Sequence, residues 1–158
     1  MSAKIRDLMI RKVITVNSDY TVKHAADIMN RYEVGCLVVL EKERVLGILT
    51  ERDILKRIVA VARDPEKTFV REVMSSPVIV VGPDVPLEYA VMLMFEHKIK
   101  KLPVMESHNG KEELVGLVTL TDIARVQTKL IKQLKEHFER EGETPPKSME
   151  KVINYYIV

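Results

Sequence analysis

The chain lacks most of the features that announce a function on their own. Its 158 residues hold one cysteine, no tryptophan, three phenylalanines and five tyrosines. A single cysteine makes no intrachain disulfide. So few aromatics argue against a surface that stacks single-stranded bases. No apolar run approaches the roughly 20 residues of a membrane-spanning helix. The opening MSAKIRDLMIRKVITV is broken by charges and does not read as a signal peptide, so the expected compartment is the cytoplasm. Net charge is also scarce: 25 basic against 23 acidic residues leave +2, too little to imply a polyanionic partner. Asn and Gln are few while Lys and Glu abound, a balance that leans toward a heat-adapted source.

Catalytic signatures are missing as well. There is no G-x-S-x-G, no phosphate-binding Walker sequence and no G-x-G-x-x-G. His24, His97, His108 and His137 are scattered without zinc-ligand spacing, so no metal is expected. Cys36 falls in an apolar run, where a thiol behaves as a small inert hydrophobe. The expectation is a protein that is not an enzyme.

What the chain does contain is itself, twice. IRDLMIRKVITVNSDYTVKHAADIMNRYEVGCLVVL aligns without a gap on VREVMSSPVIVVGPDVPLEYAVMLMFEHKIKKLPVM over about 36 positions, about 10 of them identical. Arg6 falls on Arg71, Met9 on Met74, Asp19 on Asp84, Ala25 on Ala90, Met29 on Met94 and Leu37 on Leu102. After an insertion at Ser107 to Glu113, VLGILTERDI lies over LVGLVTLTDI, so Gly47, Thr50 and Asp53 meet Gly116, Thr119 and Asp122. The length allows one compact unit or two small ones, and two halves of this size are expected to share one core. Residues 1–64 form the first repeat, 65–127 the second and 128–158 a tail.

Each repeat reads as strand, helix, two strands and a second helix. Val13 to Val16 and Val78 to Val81 are short β-branched runs. Val22, Ala25 and Met29, like Leu87, Ala90, Val91 and Met94, recur at helical spacing. Pro86 suits a first helical turn, where a missing N–H costs nothing. Cys36 to Leu40 and Val45 to Leu49 flank the polar turn EKER as a hairpin, and Leu102 to Met105 with Leu114 to Val118 repeat it across a longer loop tipped by Asn109 and Gly110. The fold class is α/β (α+β) with a C-terminal helical tail.

The repeated polar residues stand where the third strand turns into the second helix: Thr50-Glu51-Arg52-Asp53 and Thr119-Leu120-Thr121-Asp122. Such a spacing makes a capping box, although Asp is shorter than the usual Glu or Gln and reaches the cap amide less easily. The same geometry offers free N–H groups to an anion and a carboxylate to a ribose diol. Cap and ligand site are compatible readings.

Taken in order, RDLM, VITV, AADIMNRYEVGCLVVL and GILTERDIL, then REVM, VIVVGPDVPLEYAVMLM, KIKKLPV and GLVTLTDIA, resemble a pair of cystathionine-β-synthase (CBS) domains, the Bateman module, over about four fifths of the chain. The resemblance implies two βαββα repeats packed about a pseudo-twofold axis, with two clefts that take adenosine compounds. AMP, ADP or ATP are the commonest, S-adenosylmethionine is less so, and no cofactor is obligatory. Two such pairs commonly form a disc-shaped homodimer that acts on an effector protein, here unknown.

By position, the resemblance makes Asp53 and Asp122 ribose acceptors in separate clefts, so they are no catalytic pair. Thr50, Thr119 and Thr121 offer hydroxyls to ribose or α-phosphate. Ile48 and Leu117 wall the adenine, with Val78 and Ile79 across from Asp53 and Val13 and Ile14 across from Asp122. Lys100 and Lys101, where the first repeat has Gly35 and Cys36, face ligand phosphates, as does Arg52: the Asp122 cleft draws on Lys100 and Arg52, the Asp53 cleft on Lys100 and Lys101 from across the axis. The basic set is thin, which favours a mono- or diphosphate and unequal clefts. Read without the resemblance, KIKK is an ordinary solvated turn.

Beyond the resemblance, Ile123, Val126, Leu130, Leu134 and Phe138 make a helical stripe that runs on from Thr119 to Gly142, with Arg125, Lys129 and Lys132 as a basic one. Met149, Val152, Ile153 and Tyr156 continue after Pro145-Pro146, and such an apolar end is expected to dock on its own module or a second subunit. A competing reading has vestigial clefts and a basic helix that contacts a partner protein, RNA or a ribosome.

Overall fold

The computed structural model describes residues 2–142, so the expectations for Met149 to Val158 and for Pro145-Pro146 lie outside the described residues. The chain divides into two compact units. The first is Lys12–Ile79; the second joins the residues up to Arg11 with the chain from Val80 onward.

In the first unit, β1 (Thr15–Asn17) lies parallel to β2 (Cys36–Glu41), which pairs antiparallel with β3 (Arg44–Thr50). Between β1 and β2 runs α1 (Val22–Tyr32), capped by the Thr21 hydroxyl, which accepts from the His24 amide at 3.2 Å. The helix buries Val22, Ala25 and Met29 on the sheet and stops where Glu33 turns left-handed. Lys42 and Glu43 both take positive φ in the β2–β3 turn, the twist that a two-residue hairpin requires. After β3 comes α2 (Glu51–Ile54), which continues as a π-helical turn over Leu55–Val59. The core gathers Val16, Val22, Leu37, Val39, Leu49 and Ile58 with Val70 and Val73, which lie on α3 (Val70–Val73) beyond the sequence boundary at residue 64.

The second unit repeats this plan with α4 (Leu87–Glu96), β4 (Lys101–His108), β5 (Lys111–Thr119) and α5 (Leu120–Val126). Pro86 is the cap residue of α4 rather than part of its first turn. Three further expectations change. The hairpin crosses no longer loop: the insertion is absorbed by extending both strands to a two-residue Asn109-Gly110 turn with φ of 52° and 77°. The expected strand at Val78 to Val81 shrinks to one parallel bridge, Val81 to Val104. In the first unit the Val38 amide donates to Ile14 O at 3.2 Å, but the matching position is Pro103, which has no N–H to give. Finally, the long helix is interrupted. Gln127 leaves helical geometry (φ −122°, ψ 57°) and α6 (Thr128–Glu141) starts afresh, ending at Gly142 with φ of 67°. The break changes the phase of the stripe, so Ile123 and Ile131 are fully buried while Val126 is exposed.

Each unit is completed by the segment that precedes the other repeat. Ile10 bridges to Leu117 on β5, and Ser75 bridges to Ile48 on β3. Arg6 donates to both carboxylate oxygens of Asp84 (2.9 and 2.8 Å), and Arg71 likewise pairs with Asp19. The repeated Arg and Asp are thus partners, each Arg gripping the Asp of the other repeat. The repeated Met and Gly are partners too. A Cβ on Gly116 would lie 2.6 Å from Met9 Sδ, and one on Gly47 would lie 3.1 Å from Met74 Sδ and 2.5 Å from Ser75 O.

Candidate functional site

The site residues group at the two strand-to-helix junctions. At the first, Thr50 ends β3 and caps α2: the Asp53 amide donates to Thr50 Oγ1 at 3.2 Å, and the Thr50 amide donates back to Asp53 Oδ2 at 3.0 Å. The capping box is complete, so the shorter Asp does reach the cap amide. Thr50 Oγ1 also lies 3.1 Å from Oδ2. At the second junction Thr119 caps α5, with the Asp122 amide donating to Thr119 Oγ1 (3.1 Å) and that hydroxyl lying 2.7 Å from Asp122 Oδ2.

The junctions share a backbone frame. The Glu51 amide donates to Gly35 O at 3.0 Å, and the Leu120 amide donates to Lys100 O at 2.8 Å. This tie seats the start of each helix on the strand beside it. It also sets the local charge. Lys101 is paired with Thr119 across the β4–β5 ladder, so Lys100 and Lys101 both flank the second junction. At the first junction Gly35 stands in place of Lys100, and the Glu51 carboxylate packs there, 3.2 Å from where a Gly35 Cβ would be. Basic residues therefore stand at one junction and an acidic one at the other.

Ile48 and Leu117 are buried, each held by two backbone hydrogen bonds, to Ser75 and to Ile10. Val78 and Ile79 are half-buried and follow Ser75 within the unit that carries Asp53. Val13 and Ile14, also half-buried, lead into β1 of that same unit. Arg52 is exposed on α2, and Thr121 is half-buried on α5. Among the described residues, no three His, Cys, Asp or Glu side chains gather to hold a metal ion.

Two residues that sequence reasoning missed stand on Asp53. The Ser75 hydroxyl donates to Asp53 Oδ1 at 3.0 Å, and Arg57 Nη1 lies 3.6 Å from the same oxygen while donating to Val73 O and Met74 O at 2.7 and 2.9 Å. Arg57 was findable as the base one helical turn after Asp53. Ser75 carried no such signal, because its contact spans 22 residues of sequence.

Two units of one plan, each turning its last strand into a Thr-capped helix with an Asp three residues on, define a tandem-repeat α/β architecture. The chain belongs to the CBS-domain family: the family model "CBS domain" matches residues 5–60 and 70–129. CBS domain-containing protein YhcV of Bacillus subtilis is 38% identical over 122 residues, 77% of this chain and 84% of that protein. Among solved structures, the conserved CBS domain protein TA0289 of Thermoplasma acidophilum superposes with a TM-score of 0.73 at 28% identity, covering 87% of this chain and 77% of that one. The CBS domain pair of protein MJ0100, in complex with 5'-methylthioadenosine and S-adenosyl-L-methionine, gives 0.70 at 25% identity, covering 82% and 98%. No helix among the described residues is long and apolar enough to cross a membrane.

Proposed function

We propose that this protein is a non-catalytic regulatory module that binds adenine nucleotides through its two Thr-x-x-Asp junctions, and that a homodimer transmits occupancy to an effector protein. The observation that carries this reading is the recurrence of one hydrogen-bonded Thr–Asp pair at both junctions, a carboxylate held in fixed orientation beside a helix start. Such a carboxylate accepts from a ribose diol, while N–H groups and nearby bases accommodate phosphate. The complex of the MJ0100 pair with two adenosine derivatives supports the ligand class. Lys100, Lys101 and Arg52 supply charge for one or two phosphates rather than three. AMP and ADP are therefore favoured over ATP, and S-adenosylmethionine is the weaker alternative. Regulation follows only if the nucleotide prefers one conformation of the module, since a ligand shifts an equilibrium by its differential affinity alone.

Calorimetric titration with AMP, ADP, ATP and S-adenosylmethionine tests the reading. Binding that disappears in an Asp53→Ala/Asp122→Ala variant is expected. A wild type that binds none of the four, yet associates with RNA in a salt-dependent way through Arg125, Lys129 and Lys132, would replace it with the interaction-protein reading.

A further inference from the structure

The two Asp residues occupy equivalent places in the sequence but not in chemistry. A carboxylate has about four lone-pair sites. On Asp53 three are taken by hydrogen bonds from within the chain, the Thr50 amide and hydroxyl on Oδ2 and the Ser75 hydroxyl on Oδ1 at 3.0 Å, and the Arg57 guanidinium adds a charge contact with Oδ1 at 3.6 Å. Its side chain is 11% exposed, against 26% for Asp122. The second repeat cannot build the same arrangement, because Ile10 stands where Ser75 would be and Val126 where Arg57 would be. Neither has a group to donate. Asp122 accepts from Thr119 Oγ1 and lies 3.8 Å from Arg125, close to the Arg57 distance at Asp53, so the Ser75 hydroxyl and the backbone that Arg57 holds before it are what set the two sites apart.

Building on the nucleotide-binding reading, we infer that Ser75 and Arg57 form an in-chain latch over the Asp53 carboxylate, so that a ribose diol is taken first at Asp122 and at Asp53 only when the latch opens. One local charge acts in the same direction: the Glu51 carboxylate lies beside Gly35 at the Asp53 junction and repels phosphate there. Arg57 strengthens the latch by holding Val73 O and Met74 O, which fixes the backbone immediately before Ser75. A nucleotide at Asp53 has to exchange its own hydroxyl donors for ones already in place, so its net gain there is small. The latch makes the first site a responder at high ligand concentration and the second a resident site.

Titration calorimetry of the full chain with AMP, ADP and ATP, read as stoichiometry and affinity, tests the latch. Wild type is expected to show one tight site per chain, abolished by Asp122→Asn and kept in Asp53→Asn. Ser75→Ala/Arg57→Met is expected to gain a second site at least about tenfold tighter than any second-site binding in wild type, as for release of a hydrogen bond to a charged group. That gain should vanish when Asp53→Asn is added. Ser75→Thr keeps the hydroxyl and should behave as wild type. Because Ser75 is exposed, Ser75→Ala alone serves should the double variant fail to fold, with a smaller gain of the same sign. A tight wild-type site lost with Asp53→Asn, or latch variants that still bind one nucleotide per chain, would overturn the inference alone. No binding by wild type or any variant would instead remove the nucleotide-binding reading, and the latch with it.

Discussion

At the scale of single residues, Gly47 and Gly116 occupy the same repeat position but face different obstacles. A Cβ at Gly47 meets the Ser75 carbonyl at 2.5 Å, a backbone atom that moves only if the Ile48–Ser75 bridge breaks. At Gly116 the first obstacle is the Met9 sulfur at 2.6 Å, the far end of a flexible chain. Gly47→Ala is expected to destabilise by about 2 kcal/mol and Gly116→Ala by about half that, measured by urea unfolding. Acid sensitivity is also settled by particular residues. Hydrogen bonding and charge from the Arg6 guanidinium hold the Asp84 carboxyl below the ordinary aspartate range, and the Phe69 amide, with Arg63, lowers Glu72 in the same sense. A depressed carboxyl contributes stability that is present above its unfolded value, near pH 4, and lost as pH falls through the folded value. Asp84→Asn should therefore flatten the acid limb of the stability profile while leaving its slope unchanged between pH 6 and 8. The Arg, Met, Asp and Gly repeats were legible as identities in the sequence. Their pairing was not, since alignment sets like beside like whereas the fold joins each Arg to an Asp and each Met to a Gly of the other repeat.

At the scale of elements, α1, α4 and the strand pairs of both hairpins were legible because apolar spacing and turn chemistry act within a few residues, although the second turn proved shorter than expected. The misread elements depended on neighbours distant in sequence. Pro103 has no N–H to give Ile79 O, so pairing starts only at Val81, a fact that the β-branched run itself does not carry. The break at Gln127 has no Gly or Pro to mark it; what it achieves is burial of Ile131 in place of Val126. The two residues therefore separate an interrupted helix from a continuous stripe. Ile131→Ala is expected to cost about 2–4 kcal/mol and Val126→Ala less than about 0.5 kcal/mol in equilibrium unfolding. A continuous stripe would reverse the order, with Val126→Ala the costlier of the two.

At the scale of the whole molecule, the repeat read from sequence and the unit that folds are offset by one segment. Residues 1–64 lack Val70, Val73 and Met74, which pack in and against the first core. Lys12–Ile79 contains them, together with the Arg71–Asp19 pair. A fragment spanning 12–79 is expected to unfold in a cooperative thermal transition, and one spanning 1–64 is not, with circular dichroism as the readout. The candidate site divides in the same way. The Thr–Asp pairs were visible as repeated polar residues, but Ser75 and Arg57 have no counterpart in the second copy and so escape a search that looks for repetition.

The offset has a consequence during synthesis. Ile5, Arg6 and Met9 leave the ribosome well before the residues that receive them, since Asp84 and Gly116 are made only when translation is into the second repeat. The last residue of the first unit, Ile79, is made while the N-terminal segment still waits. At about 5–20 residues per second the wait from Met9 to Gly116 lasts roughly 5–20 s, during which the segment lacks its acceptor. The charges that interrupt it, Lys4, Arg6, Asp7, Arg11 and Lys12, are what keep it in solution until its own acceptor arrives.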